Sequence, residues 1–87
     1  MNEGIVSRYG VYRDLDKSPY EYVSPYGDCF KFRSQKKLEI YTREIKKEID
    51  RVSKFVGRLG LESYLPGEII QLLYRATYKA LYNQVEE

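Results

Sequence analysis

Two hydrophobic rhythms meet at Ser34. Before it, apolar residues alternate with polar ones or gather in short β-forming runs. After it, they recur at intervals of three and four. Cys29-Phe30-Lys31-Phe32-Arg33 alternates strictly, which puts Phe30 and Phe32 on one face of a strand. Tyr20-Glu21-Tyr22-Val23 predicts a second short strand. Ser24-Pro25-Tyr26-Gly27-Asp28 lies between them and joins the two as a hairpin, because Pro presets φ for a turn and Gly tolerates positive φ. Ile5 to Tyr12 is also rich in β-formers and predicts a further strand, with Gly10 as a bulge, while Asp14 to Pro19 reads as a polar loop.

Ser34 is a good N-cap, and no Pro or Gly follows before Gly57. Leu38, Tyr41, Ile45, Ile49, Val52, Val56 and Leu59 fall in one narrow sector at 100° per residue, so a long amphipathic helix is expected over 35–59. At 1.5 Å per residue such a helix is about 37 Å long, more than a small sheet can cover. Gly57 and Gly60 mark its end, Gly60 in the left-handed position that closes many helices. Leu61 and Leu65 are expected to plug the space under the helix pair. Pro66 can open a second helix over 67–85. The pattern predicts one α+β domain over 1–87: a small antiparallel sheet of two or three strands within 5–33, then two antiparallel helices, the first long.

The second helix carries more apolar surface than one core needs. Ile69, Leu73, Ala76, Thr77 and Ala80 form a small-residue face suited to close approach on the long helix. Ile70, Tyr74, Tyr78, Leu81, Tyr82 and Val85 widen the sector past half the circumference, where a helix covering one core shows about 100° or somewhat more. The excess calls for a second contact, made by the sheet or by another chain. Ten Tyr against three Phe and no Trp sharpen the question, since Tyr suits both half-buried and interfacial positions. Tyr74, Tyr78 and Tyr82 form a ladder beside Arg75 and Lys79, the aromatic and basic composition of interface hot spots. With Tyr64 and Ile70 as neighbours, these residues are the candidate protein-binding surface, for a homodimer mate or a different protein.

Composition removes several chemistries. There is no His and a single Cys, Cys29, so a zinc site within one chain lacks its ligands and a nucleophilic thiol lacks an imidazole. Glu21 and Asp28 can approach Cys29 across the hairpin, but carboxylates oppose the thiolate. A quiet, partly buried thiol is expected there. Asp14-Leu15-Asp16-Lys17-Ser18 lacks the Gly and terminal Glu of a calcium loop, and no glycine-rich phosphate loop opens a helix. No enzyme activity, metal or cofactor is expected. The apolar runs are too short for a membrane span, the start has no signal-peptide pattern, and a lone Cys suits a reducing compartment, so a cytoplasmic protein is expected.

Fifteen basic residues against thirteen acidic ones give a charge of +2, too little to imply nucleic acid on its own. Arrangement adds something. Lys36, Arg43, Lys47, Lys54 and Arg58 lie opposite the apolar seam, and with Lys31 and Arg33 they could follow a phosphate backbone. Glu39 precedes Arg43 by four and Asp50 precedes Lys54 by four, spacings that equally describe an ion-paired solvent face. Nucleic-acid binding is the alternative reading.

Tyr22-Val23-Ser24, then Phe30-Lys31-Phe32-Arg33-Ser34 leading directly into Leu38-Glu39-Ile40-Tyr41, resembles small accessory proteins of tailed bacteriophages of Gram-positive hosts. These place an aromatic strand ending in Ser just before a charged helix. The resemblance covers about twenty residues, with Tyr41 where such segments often carry Phe. It implies a function in binding a host or phage protein, and it implies no catalytic residue.

Overall fold

The computed structural model describes residues 14–86. The strand expected over Ile5 to Tyr12 lies outside them. A 3-10 turn at Leu15–Lys17 leads into strands β1 (Tyr20–Val23) and β2 (Cys29–Phe32), and helices α1 (Gln35–Leu59) and α2 (Gly67–Glu86) follow, with a second 3-10 turn, Leu61–Ser63, between them. The fold is α+β, a two-stranded antiparallel sheet followed by two helices, the first long.

Local chemistry sets each boundary. β1 and β2 pair with Tyr20 opposite Phe32 and Tyr22 opposite Phe30, so all four rings stand on the same face of the sheet. The turn uses Gly27 at φ 88°. Buried Ser24 braces the turn, its hydroxyl accepting from the backbone N–H groups of Tyr26 and Asp28, each at 3.2 Å. Ser34 caps α1 by accepting from the Lys37 N–H at 3.3 Å. Gly60, at φ 62°, closes the helix, whereas Gly57 continues within it. The Asp14–Pro19 segment is more ordered than a polar loop. Asp14 accepts from the Asp16 N–H to start the 3-10 turn, and the buried Ser18 hydroxyl donates to the Phe32 carbonyl, fastening the turn beneath β2.

The main core gathers Phe30, Phe32, Tyr41, Ile45, Tyr78 and Leu81, with Tyr20, Tyr22, Tyr26, Leu38, Ile49, Tyr82 and Val85 packed around it. It therefore joins the sheet to the first half of α1 and the second half of α2. A four-residue strand spans about 13 Å at 3.3 Å per residue, against about 37 Å for α1. Beyond Ile49 the described sheet no longer covers the helices, and only Val56 is fully buried there. Leu59, the last residue of the expected seam, is 48% exposed. Leu65, expected to plug the space below the helices, is 37% exposed.

Phe32 and Tyr41 have no exposed surface, and the Tyr41 hydroxyl donates to the Tyr78 carbonyl at 2.8 Å. Replacing Phe32 with Ala should cost about 3–5 kcal/mol in urea unfolding, since the cavity lies where three elements meet. Tyr41→Phe keeps the ring and removes only the helix-to-helix hydrogen bond, for a loss of about 1 kcal/mol.

Candidate protein-binding surface

The proposed Tyr ladder turns toward the protein's own sheet. Tyr78 is buried, its ring centroid 6.2 Å from that of Tyr22 and 6.1 Å from that of Tyr26. Tyr82 lies 5.1 Å from both Phe30 and Phe32, and its hydroxyl donates to the Lys31 carbonyl at 2.7 Å. Tyr74 and Ile70 are half-buried, while Tyr64, in the connector, is 79% exposed. Arg75 grips the turn through two hydrogen bonds to the Asp28 carboxylate, at 3.0 and 2.8 Å. That guanidinium holds the Asp28 carboxyl below its usual range, and Lys79 adds a weaker attraction. The sheet thus takes up the aromatic side of α2 that exceeded one core's needs.

The small-residue face borders α1 through half-buried Leu73 and Thr77, with Ala76 and Ala80 left open. Glu48, Val52, Leu73, Ala76, Thr77, Ala80, Leu81 and Gln84 line an open groove of about 300 Å³ between the helices. Ala76 and Ala80, expected to lie against α1, are exposed. Helical geometry explains the change. At 100° per residue Ala76 and Ala80 lie about 160° from Tyr78, so once Tyr78 enters the core they must point away from the sheet. Ile69, 45% exposed, continues their stripe toward the tip of the hairpin, and Leu72, 56% exposed, lies on the flank beside Asp28, Cys29, Phe30, Arg75 and Lys79. On α1, Phe55 and Leu59, 50% and 48% exposed, share one side. Among the described residues, large apolar side chains of both helices therefore stand partly open toward the tip of the hairpin.

Phe55 and Leu72 escaped the sequence reading. Phe55 lies at the margin of the seam, about 80° from its centre, where it resembles an isolated surface aromatic. Leu72 belongs to neither the small-residue face nor the Tyr ladder. Phe55 lies beyond the reach of the four-residue strands, while Leu72 lies beside Cys29 and Phe30 of β2, and both placements could be read only once the strands were matched to particular helix turns.

The basic residues are mostly engaged. Arg43 and Lys47 share Glu44 at 3.4 and 3.6 Å, and Lys54 pairs with Asp50 at 3.1 Å, as its spacing predicts. Arg51, beside them, pairs with Glu48 at 3.0 Å. Glu39 accepts from Gln35 rather than pairing with Arg43. Lys31 donates to the Asp16 carbonyl, and Arg33 joins Lys37 around Glu86 near the end of α2. Of the seven candidates for phosphate contact, Lys36 and Arg58 stay exposed outside these pairs. Cys29 is exposed rather than partly buried, its sulfur 3.9 Å from Glu21. Among the described residues no cluster of three Cys, Asp or Glu could hold a metal ion, and no helix is long and apolar enough to cross a membrane.

Burial pushes the phenols of Tyr41, Tyr78 and Tyr82 above the usual value of 10.0, and for Tyr41 and Tyr78 the neighbouring Tyr22 adds to the rise. A raised acid stays protonated longer in the folded state, so folding binds protons above pH 10. Stability should therefore be unaffected by these groups below about pH 10 and fall as pH climbs beyond it. Alkaline titration followed by tyrosinate absorbance and circular dichroism checks this. Ionisation of Tyr41, Tyr78 and Tyr82 should be delayed and should accompany loss of helix.

No family model, curated protein or solved structure matches this chain.

Proposed function

We propose that this is a non-enzymatic protein-binding module that works through the side of its helical hairpin turned away from the sheet. The observations that carry this reading are Phe55, Leu59 and Ile69, each about half exposed on the two helices, and an open groove between those helices lined by Leu73, Ala76, Thr77 and Ala80. Exposed apolar patches beyond a few hundred Å² on a small protein mark interaction sites. A trough of small side chains lets a helix backbone approach, with large residues alongside to anchor it. The Tyr-rich side offers less, because Tyr78 and Tyr82 already pack on the sheet. The resemblance of the strand-to-helix segment to bacteriophage accessory proteins agrees with a role in binding another protein. The basic side of α1 supports phosphate binding weakly, since Glu44, Glu48 and Asp50 already neutralise much of it.

Leu59→Asp and Ile69→Asp alter exposed positions and should leave the far-ultraviolet circular dichroism and melting profile intact. Each should weaken binding to a protein partner at least tenfold. Ala replacement of Arg43, Lys47 and Lys54 together should leave it unchanged. The opposite pattern, joined to binding of single-stranded or duplex DNA at about 50 mM salt that disappears as salt rises, would overturn the proposal in favour of nucleic acid. Tyr78→Ala is a stability probe in this scheme and should cost about 3 kcal/mol or more.

A further inference from the structure

The outer edge of β2 carries backbone groups that the fold leaves unused. The Ser24 N–H donates to the Asp28 carbonyl at 2.8 Å, which fixes the phase of the ladder between the strands. In an antiparallel pair, bonded residues alternate with residues whose backbone groups face outward. Tyr22 therefore bonds Phe30, and the N–H and carbonyl groups of Cys29 and Lys31 turn away from β1. This edge faces α2, since the Lys31 carbonyl accepts from the Tyr82 hydroxyl at 2.7 Å. One pleat earlier, the outward N–H and carbonyl of Cys29 have no hydrogen-bond partner among the described residues. An open cleft of about 520 Å³ lies at that point, between the start of β2 and the α2 residues Leu72, Ala76 and Lys79. Ligand sites commonly occupy about 300–1,000 Å³.

The cleft has an apolar wall and a charged one. Leu72 is 56% exposed, and Ala76 beside it is small. Asp28 is matched by Arg75 at 2.8 Å, whereas Lys79 is exposed and makes no ion pair among the described residues, so the cleft keeps a net positive charge. We propose that it binds an extended peptide segment of another protein, which adds to the outer edge of β2. One peptide residue exchanges hydrogen bonds with Cys29: its N–H donates to the Cys29 carbonyl, and its carbonyl accepts from the Cys29 N–H. Side chains alternate along a strand, so the residues before and after it both point to the α2 side, about 7 Å apart. Lys79 lies about 4.5 Å of helix rise from Ala76 and about 10.5 Å from Leu72, which brackets that spacing. The ligand is thus an extended segment with an apolar residue and a carboxylate residue two apart. Cys29 acts through its backbone, and its thiol, on the other face of the sheet from the aromatic rings, takes no part. This site is separate from the hairpin tip and does not depend on it.

Nuclear magnetic resonance titration of the nitrogen-15-labelled full chain tests the proposal. The probes are blocked peptides of about seven residues that carry Leu and Asp two apart, in either order. Peptide at up to about 5 mM reveals dissociation constants in the millimolar range. A saturable downfield shift of the Cys29 amide is expected, with smaller shifts at Leu72 and Lys79. N-methylation of the peptide residue between Leu and Asp should raise the dissociation constant at least tenfold, because it removes the donor to the Cys29 carbonyl. Lys79→Glu should raise it at least fivefold while the circular dichroism spectrum stays that of the wild type. Leu72→Asp, also at an exposed position, decides the matter if Lys79→Glu misfolds. Absence of a Cys29 shift with both peptides overturns the proposal, and so does equal affinity of the N-methylated peptide. Shifts at Lys79 that acetate alone reproduces reveal a bare surface charge and overturn it too. Shifts gathered instead at Phe55, Leu59 and Ile69 overturn this cleft while supporting the hairpin tip as the binding surface.

Discussion

The fold depends on where Tyr41 sits. Its ring packs 5.0 Å from Phe32, 5.9 Å from Phe30 and 5.1 Å edge-on from Tyr22, while its hydroxyl crosses to the Tyr78 carbonyl of α2. One side chain thereby joins sheet, first helix and second helix. A Phe would fill the same space without choosing the rotation of α2. The phenol ties one particular turn of that helix to α1, and an unsatisfied hydroxyl in so dry a place would be costly. Slipping α2 by one residue swings Tyr78 by 100° out of the aromatic cluster and moves its carbonyl off the hydroxyl. The rotation of α2 follows, and so does the identity of the face left outside.

Polar clamps reinforce that choice from the surface. Glu86, only 11% exposed, accepts from the Arg33 backbone and faces both Arg33 and Lys37. Asp28 and Arg75 fasten the turn to the middle of α2. The Tyr82 hydroxyl closes on the Lys31 carbonyl between them. These contacts lie along one line of α2 beside the hairpin, and together they resist rotation more than separation. Exposed ion pairs contribute little singly, so the work falls on the rings they flank.

Most of the architecture was legible because it rests on local signals. Strict alternation at Phe30 and Phe32, the Pro and Gly of the turn, the Ser34 cap and the left-handed Gly60 each act within a few residues. The candidate surface was harder to read, because α2 is apolar over more than half its circumference and two different rotations satisfy the same pattern. Either the small residues or the tyrosines could face inward. In the structure the tyrosines meet the sheet, Leu73 and Thr77 border α1, and Ala76 and Ala80 are left exposed. The deciding contacts, Tyr41 to Tyr78 and Phe30 to Tyr82, join residues far apart in the chain. Helical periodicity records that a sector is apolar but not which neighbour it meets.

The same constraint explains why apolar surface remains outside. Tyr is large enough for a single layer of rings to bridge from a two-stranded sheet to both helices, so a small chain can build its core at one end. Among the described residues, that arrangement leaves the opposite end of two long helices with only Val56 fully buried, and with Phe55, Leu59, Ile69 and Leu72 half in solvent. Shorter helices would remove the exposure without touching the aromatic core, because none of these residues belongs to it. Their length is therefore not required by that core, and the extra turns carry the side chains on which the proposed contact rests. Each added turn lengthens an apolar ridge and carries it farther from the sheet, which is what a helical hairpin needs in order to present one side to a partner.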